Sequence, residues 1–153
     1  MNEWFLMSED WRLLRLDQVA KVVGGGTPST KVASNFGSDV PWVTPKDLST
    51  HEGRYIASGE RGLSQQGLDA SSAKLMPRGT VLVSSRAPIG LTAIADAPLA
   101  TNQGCRSLVL DASLVDSEFL YYLMTASTDV LHQHANGTTF QAVSYTHLTL
   151  PTN

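Results

Sequence analysis

Apolar residues along this chain fall first into short alternating or continuous runs and later into a helical rhythm. The opening series is Trp11, Leu13, Leu14, Leu16, Val19, Ala20, Val22 and Val23, broken by Asp17-Gln18. Asp17 has the side chain of an N-cap, so one short helical turn is expected there, leading into a strand at Lys21-Val-Val23. Gly24-Gly-Gly26 ends that strand, and Thr27-Pro-Ser29 prolongs the loop. Val40-Pro-Trp-Val43 is expected as a part-buried strand, with Pro41 at its start or at a sheet edge because proline has no N–H to give a ladder. Gly53 to Gly67 shows no period and is expected as an irregular, exposed excursion. Pro77-Arg-Gly79 marks a turn before the clearest strand, Thr80-Val-Leu-Val-Ser84. After the break at Ala87-Pro88, Ile89-Gly-Leu-Thr-Ala-Ile-Ala95 gives a second strand and Arg106-Ser-Leu-Val-Leu110 a third, together expected as a meander.

The rhythm then changes. Phe119, Leu120, Tyr122, Leu123 and Met124 sit at helical spacing behind Ser113 or Asp116 as cap, and Asp129 to His134 predicts a second helical stretch. Strands followed by terminal helices predict an α+β fold: one domain with a twisted, mostly antiparallel sheet and short flanking helices.

Composition narrows the class without naming a function. The chain has 153 residues, 42% hydrophobic and 16% charged, within the range of a globular domain. Its apolar runs are too short to span a bilayer, and Met1 to Asp10 lacks the basic start of a secretory signal. A single cysteine, Cys105, excludes an internal disulfide and suits a reducing, cytoplasmic setting; Asn136-Gly-Thr138 is then read as a chance sequon. The formal charge of −3 is unevenly spread. From Lys21 to Arg106 nine Lys and Arg stand against six Asp and Glu, whereas the ends are acidic.

Each catalytic pattern lacks a part. Gly24-Gly-Gly-Thr-Pro-Ser-Thr-Lys31 has no glycine directly before Lys31, and Ser29 stands where the last glycine of GxGxxG belongs, so neither phosphate loop is present. His132 and His134 point to different sides of a helix and have no third ligand nearby, so no metal is expected. Ser84-Ser85 follows a strand but lacks the GxSxG setting. A small serine hydrolase drawing on distant His51 or His132 stays open as one alternative. Cys105 beside Arg106 reads as a buried thiol more readily than as an activated one. Glu9-Asp10 lies in no cleft motif.

What remains is a set of hydrogen-bonding side chains at strand ends: Thr27, Ser29, Thr30 and Lys31; Thr44, Lys46 and Asp47; Ser84, Ser85 and Arg86; Asn102, Gln103 and Arg106. Arg matches the acceptor pair of guanine, Asn and Gln match adenine, and Ser, Thr and Lys suit phosphates.

Read in order, the segments resemble a known family. Trp11 to Val19, Gly25-Gly-Thr-Pro-Ser29 and Val40-Pro-Trp-Val-Thr-Pro-Lys-Asp-Leu48 are similar to the opening of a target-recognition domain. Leu75-Met-Pro-Arg-Gly-Thr-Val-Leu-Val-Ser-Ser-Arg-Ala-Pro-Ile-Gly90, Ala100-Thr-Asn-Gln-Gly104, Glu118-Phe-Leu-Tyr-Tyr-Leu123 and Gly137-Thr-Thr-Phe140 continue it. The family is the DNA specificity subunit of type I restriction–modification systems. The resemblance implies a non-catalytic chain that binds double-stranded DNA through loops in the major groove. It also implies partners: methyltransferase subunits using S-adenosylmethionine and a restriction subunit using ATP and Mg, with no cofactor in this chain. The DNA-binding residues expected on this reading are Thr27, Ser29, Lys31, Lys46, Ser84, Arg86, Asn102, Gln103 and Arg106.

The chain departs from the family pattern in two ways. One recognition domain is present, and the long spacer helix expected after Phe140 is missing, so the chain reads as a fragment or half-subunit. The end, from Val143, reads as a non-native tail. The expected division is therefore an extension at 1–10, the recognition domain at 11–142 and the tail at 143–153. A second alternative keeps the fold but makes it the specificity domain of a single-chain methyltransferase or restriction enzyme.

Overall fold

A computed structural model describes residues 12–86 and 88–133, and as backbone strands alone 135–136, 142–143 and 149–152. The first apolar series forms β1 (Arg12–Arg15), a single turn α1 (Leu16–Val19) and β2 (Ala20–Gly24). Leu16 and Val19, three apart, both turn into the core. Asp17 is not the N-cap. It lies inside the turn, its carboxylate paired with the Arg15 guanidinium, while the Arg15 N–H donates to Gln18 Oε1 at 2.7 Å.

A 3-10 turn at Ala33–Asn35 leads into β3 (Phe36–Val43), followed by α2 (Pro45–Thr50), β4 (Tyr55–Ile56), β5 (Gly62–Leu63) and α3 (Gln65–Asp69). The stretch expected as an exposed excursion is thus partly paired and buried: Ile56 and Leu63 both enter the core. Its strands are two residues long, too short for a period to show. The strand around Pro41 also differs from expectation. It is eight residues long and lies in the middle of a three-stranded sheet, β5–β3–β8, where β8 is Ala100–Thr101. Pro41 is accommodated because β8 pairs only with Trp42 and Val43, leaving one side of the strand without a ladder at the proline.

The larger sheet adds β6 (Val81–Ser85), β7 (Ile89–Ala95) and β9 (Cys105–Leu110), in the order β2–β9–β6–β7–β4. All its pairings are antiparallel except β4 with β7. The three strands expected as a meander are adjacent, but β9 pairs with β6 rather than β7, which places β6 at the centre. Both its faces are covered. Val81 and Val83 face a cluster with Leu16, Val19, Leu108, Leu120, Met124 and Leu131, whereas Leu82 faces Val43, Leu48, Ile56, Leu99 and Cys105. Burial on both sides explains why this strand reads as a continuous apolar run rather than as an alternation.

The helical rhythm becomes α4 (Ser117–Ala126), capped by the Asp116 carboxylate on the N–H groups of Glu118 (2.8 Å) and Phe119 (3.1 Å), and then α5 (Thr128–Gln133). Short strands β10 (Ala135–Asn136) and β11 (Ala142–Val143) pair with each other, and β12 (Thr149–Thr152) pairs antiparallel with β1. The extension 1–10, Trp11, His134 and the Gly137–Phe140 motif lie outside the described residues.

Candidate nucleic-acid interface

Topology gathers the candidate side chains. Antiparallel pairing sets the C-terminal end of β2 beside the N-terminal end of β9 (Gly24 opposite Arg106), and the end of β6 beside the starts of β9 and β7 (Ser84 opposite Cys105, Ser85 opposite Ile89). In the second sheet β3 and β8 run parallel, so Val43 and Thr101 end together. Thr101 then leads through Asn102–Gly104 into β9, and this turn joins the two sheets. The loops after β2, β3, β6 and β8 therefore meet at one end of the molecule.

Backbone contacts hold that junction tightly. The Gly26 N–H donates to the Thr101 carbonyl at 2.9 Å, Asn102 N–H to the Val43 carbonyl at 3.1 Å, and Ser85 N–H to the Gly104 carbonyl at 2.8 Å. The buried Trp42 indole donates Nε1–H to the Gly26 carbonyl at 3.1 Å, anchoring the glycine loop from beneath. Glycine is required at several places here, Gly25 and Gly104 among them. A Cβ at Gly25 would overlap the Thr101 and Asn102 carbonyl oxygens, and one at Gly104 would lie 2.6 Å from Pro45 Cγ.

On this platform Thr27 Oγ1 donates to Gln103 Oε1 at 2.6 Å, with both side chains exposed. Asn102 Oδ1 accepts the Gly104 N–H at 2.8 Å, closing an Asx turn. The Arg106 guanidinium folds back along the turn, donating through Nη1 to the carbonyls of Gln103 (3.3 Å) and Cys105 (3.2 Å). Arg86, half-exposed, follows directly from Ser85. Thr27, Arg86, Asn102, Gln103 and Arg106 thus come together.

The other candidates fare differently. Ser84 is fully buried; its hydroxyl donates to the Pro88 carbonyl and accepts the Leu91 N–H at 2.9 Å, so it faces no ligand. That placement removes it from the expected surface, because both bonding directions are used internally. Ser85 is likewise buried, its hydroxyl on the Gly104 carbonyl at 3.2 Å, and among the described residues no histidine bonds to either serine. A hydrolase built on them lacks an accessible nucleophile. Ser29 and Lys31 are exposed further along the glycine loop, and the Ser29 carbonyl accepts from Asn35 Nδ2 at 3.0 Å. Lys46 is exposed on α2 but pairs with Glu60 at 2.7 Å, which raises its pKa. Thr44 and Asp47 form a capping box at the start of α2: Asp47 Oδ2 accepts from the Thr44 N–H at 2.8 Å and its hydroxyl at 2.6 Å. Burial pushes the Cys105 thiol up to about 12, with Asp47 adding to the rise and Arg106 opposing it; the thiol stays protonated.

Trp42, the anchor of the loop, and Gly104, its buried pivot, are not among the side chains that residue type picks out. The signal was Asn102-Gln-Gly104 itself, a turn tripeptide whose glycine ends at a strand. Nor does residue type pick out a cluster away from these loops, where Arg54 donates to the Tyr122 hydroxyl at 2.6 Å and Tyr55 donates to Glu118.

The fold and this loop cluster define a class: a small α+β module that presents polar side chains from one hydrogen-bonded end. Residues 8–149 match the type I restriction modification DNA specificity domain, and the chain belongs to that family. It is 43% identical over 134 residues to the type I restriction enzyme MjaIX specificity subunit of Methanocaldococcus jannaschii, covering 86% of this chain and 31% of that protein. To the HindI specificity subunit of Haemophilus influenzae it is 31% identical over 111 residues, covering 72% and 24%. The chain therefore spans about a third or less of these relatives. Among solved structures, the HsdS subunit from Thermoanaerobacter tengcongensis superposes with a TM-score of 0.70 at 19% identity, over 99% of this chain and 35% of that one. The type I S subunit from M. genitalium gives 0.63 at 17% identity, over 95% and 36%. At these identities the likeness is one of fold.

Proposed function

We propose that this chain reads part of a DNA target on behalf of a type I restriction–modification assembly and performs no chemistry itself. The observation that carries the reading is the convergence of Thr27, Arg86, Asn102, Gln103 and Arg106 on one rigid loop junction. Donors held on a fixed scaffold meet base edges without first paying to order a loop. Lys31 lies on the same glycine loop as Thr27, exposed, where it suits a phosphate. Lys46 reaches a phosphate by giving up a solvent-exposed ion pair with Glu60, which water and salt screen. Methylation and cleavage belong to methyltransferase and restriction subunits, which would bring S-adenosylmethionine, ATP and Mg. The protonated Cys105 and the buried Ser84 and Ser85 fit a chain without a nucleophile.

Selection from a randomised double-stranded DNA pool tests this. The wild-type chain is expected to enrich a short motif; Arg86→Ala and Arg106→Ala each relax the preference at particular positions. Lys31→Ala and Lys46→Ala weaken binding to all sequences and reduce the salt slope by about 1 each. A uniform loss for all four variants refutes this division of roles, and a pool without enrichment refutes the reading.

A further inference from the structure

Resting on the DNA reading above, we infer that the Asn102–Arg106 turn is a donor-presenting reading head, in which Thr27 orients the Gln103 amide so that it selects an acceptor-rich base edge, guanine above all. An unrestrained glutamine offers both a donor and an acceptor, which is why it matches adenine through N6 and N7. Gln103 is restrained. Its Oε1 is turned toward Thr27, accepting that hydroxyl at 2.6 Å, which directs the Nε2 donors away from Thr27.

The same orientation recurs at Asn102 and at Asp47. Asn102 Oδ1 accepts the Gly104 N–H, which leaves Nδ2. Asp47, the carboxylate of this region, accepts through Oδ2 from Thr44 and through Oδ1 from the Glu60 N–H at 2.8 Å. Arg106 and Arg86 are donors by constitution. The side-chain oxygens of Gln103 and Asn102 are thus turned toward donors of the fold, and their amide N–H groups away from them. Guanine presents two acceptors, O6 and N7, to the major groove, whereas adenine and cytosine each place an amino donor there. A head that presents donors first meets guanine without leaving a base donor unpaired. Thr27 acts through Gln103 and is a positioning residue.

The test uses the full chain and the duplex it enriches from a randomised pool, with that guanine also replaced by 7-deazaguanine, which lacks the N7 acceptor. The wild-type motif is expected to contain a guanine whose discrimination over other bases falls about tenfold in Gln103→Leu. Gln103→Glu exchanges the donor for an acceptor and moves the preference at that position to cytosine or adenine. Thr27→Val frees Oε1, so adenine is admitted at the same position while binding to the guanine duplex changes less than about threefold. The 7-deaza substitution weakens the wild-type chain and leaves Gln103→Leu unaffected. Circular dichroism confirms that each variant is folded. If the Gln103 variants weaken binding to all duplexes equally, the amide touches phosphate and the inference fails while the DNA reading stands. A motif left unchanged by Gln103→Glu, or one whose Gln103-dependent base carries a donor, overturns it too. A wild-type chain that enriches no motif overturns the DNA reading and the inference with it.

Discussion

Replacing Gly25 with alanine tests whether the loop junction is built as described. The new Cβ would overlap the carbonyl oxygens of Thr101 and Asn102, which are backbone atoms and cannot swing aside as a side chain can. The glycine loop must lift instead. Lifting breaks the Gly26 N–H bond to Thr101 (2.9 Å) and withdraws the Gly26 carbonyl from the buried Trp42 indole (3.1 Å). The first loss is worth about 1 kcal/mol net, and a buried N–H left without a partner costs about 1–3 kcal/mol. Restricting the unfolded chain returns roughly 0.4–1 kcal/mol. The expected destabilisation is therefore about 2–3 kcal/mol, a large part of the roughly 5–15 kcal/mol that holds a domain together. In urea, with a slope of about 1–3 kcal/mol/M, the unfolding midpoint falls by about 0.7–3 M. Gly24→Ala is the control one residue away. Its Cβ would find the Arg106 guanidinium at 3.6 Å, an ordinary contact, so stability stays within about 0.5 kcal/mol of wild type. Equal midpoints for the two variants would mean that the glycine loop tolerates a Cβ at position 25.

Other consequences are read in the same assay. Asp116→Ala removes the cap that accepts two N–H groups at the start of α4 and is expected to cost about 1 kcal/mol; an unchanged midpoint refutes the capping role. Cys105 gives a pH signature. Its folded pKa is raised from 9.0 to about 12, so the stability from keeping the thiol neutral is fully present below about pH 9 and is lost as pH rises toward 12. Cys105→Ala is therefore expected to unfold less steeply across that alkaline window than wild type, and parallel curves contradict the burial argument.

How much of this was legible in the sequence depends on length and on which faces are covered. Thr80 to Ser84, Ile89 to Ala95 and Arg106 to Leu110 showed as strands because each is long enough for an apolar pattern, and the structure shifts their ends by no more than a residue. The α4 helix and its Asp116 cap were legible because capping is local chemistry. The pairing of β9 with β6 was not, since no local signal says on which side of a hairpin a later strand adds. Two-residue strands such as Tyr55–Ile56 carry no period at all. In the site, residue type picked out Gln103 and Arg106, but it equally picked out Ser84, whose hydroxyl is taken up by its own hairpin. Whether a polar side chain faces solvent or the fold is settled by pairing partners far away in sequence, such as Thr27 for Gln103.

The central claim is that the loop end reads DNA. Amide and side-chain NMR spectra of the 153-residue chain, titrated with the enriched duplex, test it most directly. Signals are expected to move at Gly24 to Lys31, at Ser85 and Arg86, and at Asn102 to Arg106, including the Gln103 side-chain amide. Shifts confined to α4 and α5, or an unchanged spectrum at saturating duplex, would contradict it.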